Sequence, residues 1–163
     1  MSKPAAAKPE ETLVETMHPI DLKILGLLQK DCRLSFNKIA LRAGVSVGTA
    51  YNRIKNLEKT GVVKGYSVIL DSVKLGYGLT AIILVQAEGG FMEEVEKEIS
   101  GFSGVVSVYD VTGDYDAAII AKFKDRTDLN SFIKHLSATP HVRRTMTSIA
   151  LNIVKEDPRV CLP

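Results

Sequence analysis

The chain has 163 residues, 45% hydrophobic and 25% charged, with a net charge of +2, which suits one large domain or two small ones. No apolar run is long enough to cross a bilayer and the N-terminus carries no hydrophobic signal core, so neither a membrane protein nor a membrane partner is expected. Cys32 and Cys161 are too few for a disulfide framework or a zinc site, so no metal is expected and a reducing, cytoplasmic setting fits.

Residues 1–17 start with two prolines and no core-forming side chain, and read as a flexible N-terminal tail. Residues 18–62 read as a helix-turn-helix domain. Pro19 suits the first position of a helix that turns Ile20, Ile24, Leu27 and Leu28 inward. Asp21 and Lys30 sit at the ends that the helix dipole favours. A second helix, from Ser35, buries Ile39, Ala40 and Ala43, and Gly44 supplies a left-handed reversal. Ser46 caps a third helix that buries Ala50, Ile54 and Leu57. Two short helices in this arrangement form the motif whose second helix enters the major groove of DNA.

The outward face of that third helix gives the motif its chemistry. Ser46, Val47, Gly48, Thr49, Asn52, Arg53 and Lys55 are the candidate DNA contacts. Thr49, Asn52 and the residues around Ser46 can read base edges, whereas Arg53 and Lys55 suit phosphates. Arg53 also has a structural alternative: it lies beside the buried Ile54 and could brace the first helix. A merely solvated helix face would carry more Glu, Lys and Gln than these small, β-branched and amide residues.

Charge divides along the chain. Residues 18–70 hold nine Lys and Arg against three acids, and residues 77–155 hold eight against ten. The first half suits a polyanion and the second a different role. Between them, residues 63–78 read as a strand and hinge. The β-branched run Val62–Leu70 predicts a strand or wing, in which Lys64 is a phosphate contact or a plain surface lysine, and 71–78 predicts a hinge.

Residues 79–155 predict the order βαββαβ: strands over 79–88, 105–112, 116–123 and 142–154, and helices over 91–100 and 127–137. That is the ferredoxin-like arrangement, so the fold class is α+β. Residues 156–163 read as a C-terminal tail. Ala81–Val85 and Ala117–Ala121 are apolar at consecutive positions, so both faces of the sheet require burial. Two helices cover one face; an identical subunit is the simplest cover for the other. A dimer also suits a helix-turn-helix, because paired heads match the half-sites of a palindrome.

In the first half the chain carries Ile20-Asp21-Leu22-Lys23-Ile24-Leu25, then Ser46, Thr49, Arg53-Ile54 and Leu57-Glu58, then Gly61-Val62-Val63-Lys64-Gly65-Tyr66. In the second half it carries Val108 to Asp116 and Thr145-Met146-Thr147. With these, in this order and spacing, it resembles the Lrp/AsnC (feast/famine) regulators over residues 18–156. The resemblance implies a winged helix-turn-helix domain and a C-terminal effector-binding and oligomerisation domain of the kind called RAM. It implies dimers that assemble into tetramers or octamers, and a small amino acid as effector in place of a cofactor. It places Tyr109, Gly113, Asp114, Asp116, Thr145 and Thr147 at the effector. Asp114 can pair with an α-ammonium, N–H groups at a glycine turn can hold a carboxylate, and the threonines donate and accept. Ala50 stands where many relatives carry a larger apolar residue, and the N-terminal tail is longer than usual.

Other functions find less in the sequence. His18, His135 and His141 are scattered, and no nucleophile–base pair or phosphate loop is visible, so no enzyme is expected. The inner strands lack the aromatics that stack RNA bases. An architectural DNA-binding protein of the same fold, without an effector, is the alternative to a sensing regulator.

Overall fold

The computed structural model describes residues 17–163. They form two compact units: the residues up to Val68 with Asp157–Pro163, and Ile69–Glu156.

The first unit contains α1 (Pro19–Lys30), α2 (Phe36–Ala43) and α3 (Val47–Lys59). Each helix is opened by a side chain that satisfies a free backbone N–H. His18 Nδ1 accepts from Ile20 at 3.2 Å, Ser35 Oγ from Lys38 at 3.4 Å, and Ser46 Oγ from Thr49 at 3.1 Å. Gly44 ends α2 at φ 76°, the left-handed backbone expected there. Ile24, Ile39, Ala40, Ala43, Ala50, Ile54 and Leu57 form the core, with Ile20, Leu27 and Leu28 packed on it. Met17 packs there too, so the expected N-terminal tail loses its last residue to the core. The rest of that tail, residues 1–16, lies outside the described residues.

One expectation fails in this region. Val62–Leu70 forms no strand. β-branched residues favour extended backbone, but a strand needs a neighbour for its N–H and C=O groups, and no described segment pairs with it. Val63 N–H donates to Leu57 O at 3.0 Å, and beyond it Val68, Ile69 and Leu70 are exposed.

The C-terminal tail, 157–163, groups with the first unit and lies along α1. Gln29 Nε2 donates to the Val160 carbonyl at 3.2 Å. Leu162 lies over Gly26, where an added Cβ would stand 3.7 Å from Leu162 Cδ1. A helix position without a side chain leaves a shallow seat, and the apolar Leu162 fills it.

The second unit contains β1 (Leu79–Ala87), α4 (Met92–Ser100), β2 (Val105–Asp110), β3 (Ala117–Phe123), α5 (Arg126–Ala138) and β4 (Val142–Ile149). The antiparallel sheet has the order β2-β3-β1-β4, the ferredoxin-like topology that the sequence predicts. Ala81, Ile83, Val85 and Ala87 of β1 and Ala117, Ile119, Ala121 and Phe123 of β3 are buried with Val95, Ile99, Leu129, Phe132 and Leu136 of the two helices. β4 stops at Ile149, short of Val154. Its partner β1 begins at Leu79, so after Ala150 N–H reaches Thr80 O at 2.9 Å no β1 backbone remains to pair.

No described helix of this unit covers the other face of the sheet. Ile82 lies opposite Ile120, and Leu84 opposite both Ala118 and Met146. Ile82 is 46% exposed and Met146 43%.

Candidate functional site

The reading surface is built by α3. Its buried stripe of Ala50, Ile54 and Leu57 turns Gly48, Asn52, Lys55, Asn56 and Lys59 outward, all exposed. Val47 at the first turn is 46% exposed. Ser46 is occupied as a cap: its Oγ accepts from Thr49 N–H and stands 2.8 Å from Thr49 Oγ1. Thr49 is thereby held in one orientation, with its hydroxyl shared between Ser46 Oγ and any base it meets.

Both cations assigned to phosphates have partners. Arg53 Nη1 donates to the two Asp21 carboxylate oxygens at 3.0 and 3.1 Å, across from α3 to α1. The pair is partly buried, so Arg53 braces the helix bundle, the structural alternative raised by its position beside Ile54. Lys55 Nζ reaches Glu58 Oε2 at 2.7 Å, and Tyr66 donates its hydroxyl to Glu58 Oε1 at 3.0 Å. These hydrogen bonds, that of Lys55 first, hold the Glu58 carboxyl below the usual range. The Glu58 bond raises Lys55 in turn. Lys55 stays exposed and can exchange Glu58 for a phosphate, whereas Arg53 would have to strip a half-buried Asp21 of its partner. Lys59 faces outward beside Lys55; its place on the exposed stripe was readable from the helical period, though only its role as a last-turn cation draws the eye.

In the second unit Gly113, Asp114 and Asp116 lie in the turn joining β2 to β3. Gly113 has φ 127°, a backbone that favours glycine, and open space where a Cβ would stand. Asp114 is exposed. Asp116 plays a structural part, since its Oδ2 accepts from Ala87 N–H at 2.8 Å, where the β1–β4 register shifts between Gln86 and Ala87. Its own N–H donates to Val85 O at 2.9 Å. Its carboxylate therefore ties the turn to the end of β1.

Thr145 lies opposite Val85 and Thr147 opposite Ile83, so both threonines belong to the helix-covered face on the edge strand. Ala117 lies opposite Val85 from the other side. The turn and Thr145 thus share one end of the sheet with β1 between them, about 10 Å apart; they are not on neighbouring strands, because the ferredoxin-like order inserts β1. Tyr109 does not join them. It lies opposite Ala118 on the uncovered face of β2, at the other edge.

Beside this rim His141, at φ 67°, accepts Glu88 N–H on its carbonyl at 2.8 Å. Its Nδ1 lies 3.0 Å from Glu88 Oε2. That contact holds the Glu88 carboxyl low, and the imidazole stacks on Phe91 with centroids 3.7 Å apart. Nothing in the local sequence announces this cluster, since Glu88 and Phe91 come from one segment and His141 from another, about fifty residues on.

A family described as "Lrp/AsnC ligand binding domain" matches residues 80–160, and one described as "Winged helix-turn-helix DNA-binding" matches residues 17–64. An HTH-type transcriptional regulator of Pyrococcus furiosus is 50% identical over 141 residues, 86% of this chain and 95% of that protein. The chain belongs to the Lrp/AsnC family. The HTH-type transcriptional regulator FL11 of Pyrococcus horikoshii is 35% identical over 84% of this chain and 91% of its own length. Among solved structures, the Neisseria meningitidis transcriptional regulator NMB0573 in complex with L-Met covers 90% of this chain at a TM-score of 0.82 and 26% identity. The Mycobacterium tuberculosis leucine response regulatory protein gives 0.81, also at 26% identity. This Lrp/AsnC protein is a DNA-binding transcriptional regulator with a ligand-binding domain, and its relatives are regulators, not enzymes. A purely architectural role is not favoured, because the second half matches a ligand-binding domain. No described helix is long and apolar enough to cross a membrane.

Proposed function

We propose that this regulator reads double-stranded DNA through α3 and senses a small amino acid at the Gly113 turn. The observation that carries the DNA reading is the outward stripe of α3. Gly48 permits close approach, Asn52 can pair with an adenine edge, and Lys55 and Lys59 supply cations. Ser46, Val47 and Thr49 stand at the end of the helix that enters a groove first.

The sensing reading rests on the turn and the threonines at one sheet end. Asp114 offers an exposed carboxylate to an ammonium group, and Gly113 and its neighbours offer backbone N–H groups to a carboxylate. Thr145 and Thr147 contribute hydroxyls to the side chain. The L-Met bound by the Neisseria relative supports an amino acid. One subunit presents this end openly, so a second dimer encloses the ligand, and the ligand favours the assembled state because it binds that state better. Dimers form through the uncovered apolar face of the sheet and assemble further into tetramers or octamers.

Titration calorimetry against the twenty amino acids tests the sensing reading. One or a few small amino acids are expected to bind. Asp114→Ala should abolish that binding while the protein still retards DNA. No binding by any of the twenty, or binding unchanged in Asp114→Ala and Thr147→Ala, refutes it.

A further inference from the structure

We propose that the Tyr51 hydroxyl grips a DNA phosphate on the α2 side of the reading helix, and that Phe36 holds the ring in place for it. The inference rests on the reading that α3 lies in the major groove.

Tyr51 follows the buried Ala50, and each helical residue turns about 100°. Its side chain therefore leaves α3 roughly a quarter-turn from the buried stripe, on the flank that faces α2. An α-helix of about 10–12 Å nearly fills a major groove of about 12 Å. Its outermost stripe then meets base edges, and its two flanks meet the groove walls, which are lines of phosphates. The opposite flank belongs to Arg53, whose guanidinium is taken by Asp21. On its own flank Tyr51 stands one turn before the exposed Lys55, and offers a hydroxyl to the same line of phosphates.

Three features suit it to that contact. It is 44% exposed. Among the described residues its hydroxyl has no hydrogen-bond partner, whereas Tyr66 spends its own on Glu58. Its ring meets Phe36 edge to face, with centroids 5.2 Å apart and planes at 70°. Phe36 is 39% exposed and opens α2. Two large aromatics standing in solvent add little to the core, which closes without them. A tyrosine already fixed by a neighbour loses little rotamer freedom on binding and delivers a donor at a set height. Tyrosine hydroxyls are among the ordinary donors to phosphate oxygens.

The test uses the full chain and two duplexes of equal length, one selected by the protein from a random library and one scrambled. Tyr51→Phe removes only the hydroxyl and keeps the ring on Phe36. Binding to both duplexes should weaken by about tenfold or somewhat more, the worth of one hydrogen bond to a charged acceptor. The salt dependence should not change, because no cation is lost. Phe36→Leu should weaken binding similarly, but should add nothing in the Tyr51→Phe background, since it acts only through the hydroxyl. Unaltered affinity of Tyr51→Phe overturns the proposal, and so does a loss confined to the selected duplex, which would mean a base contact. Asn52→Ala separates this from the underlying reading. If it relaxes sequence preference while Tyr51→Phe is silent, only the phosphate grip fails. If both are silent, α3 is not the reading helix.

Discussion

The two units bury their apolar residues to different degrees, and the difference divides their functions. The first closes seven buried side chains among three helices and leaves α3 with a polar outer stripe. The second closes a larger core beneath its helices, yet leaves Ile82, Leu84, Ile120 and Met146 on a face that no described helix of that unit covers. A unit that has finished its burial can spend its surface on recognition. One that has not suits a partner, because an apolar patch of that kind stays costly in water. On the proposed reading, assembly belongs to the sheet and DNA reading to the helices.

The largest expected effect breaks one unit and spares the other. Ile54 is 2% exposed, and Ile54→Ala should cost about 2–5 kcal/mol through lost burial and a cavity. Calorimetry should show the helical unit melting at a lower temperature and DNA retardation failing, while light scattering still reports the dimer. Loss of the dimer together with the head would show that the division is wrong.

The converse experiment targets the open face. Ile82→Asp places a charge where the partner sheet should sit, opposite Ile120, and should weaken dimerisation by about 3 kcal/mol or more. The side chain is already half-exposed in one subunit, so far-ultraviolet circular dichroism should change little. A dimer that survives unchanged locates the interface elsewhere.

Arg53 sharpens the comparison within the first unit. Arg53→Ala should lower stability by about 1–2 kcal/mol, between the values for exposed and buried pairs, because Asp21 loses a partner that it holds with both oxygens. The salt slope of DNA binding should stay as it is. A slope smaller by about one would return Arg53 to the phosphates. Removing residues 157–163 uncovers Gly26 and frees Gln29. That should cost about 1 kcal/mol, in the melting of the helical unit alone, for one half-buried leucine and one exposed hydrogen bond.

The smallest effect is the Lys55–Glu58 pair. Its carboxyl is held low in the folded chain, so its stabilisation is complete above the ordinary Glu value of about 4.3. It is lost as pH falls through the depressed folded value. The melting temperature of Glu58→Gln should sit slightly below that of the parent at pH 7 and converge with it in acid. The same variant should bind DNA somewhat more tightly, because it releases Lys55 and removes a negative charge facing the phosphates.

Much of this was open to reading from the residues. Helix 3 follows from Ser46 as a cap and from Ala50, Ile54 and Leu57 at helical spacing. The Gly44 reversal follows from a residue without Cβ, and the two-faced strands follow from apolar runs without alternation. These are local signals, since capping, period and backbone freedom act within a few residues. The candidate site was legible in the same degree: Asn52 and Lys55 lie where the helical period puts them, and Gly113 and Asp114 where a turn was expected.

What only the tertiary structure decided are contacts between segments remote in the chain. Arg53 belongs to Asp21 because α3 crosses α1, and Asp116 belongs to the Ala87 N–H because β1 ends beside the turn. Tyr109 and the threonines part company because the strand order puts β2 and β4 at opposite edges. Val62–Leu70 has the composition of a strand but no neighbour to pair with. Residues 157–163 join the reading head through Leu162 and Gly26. Residue type and spacing specify what a side chain can do; which of its possible partners it meets is set by the packing of elements that the local pattern cannot see.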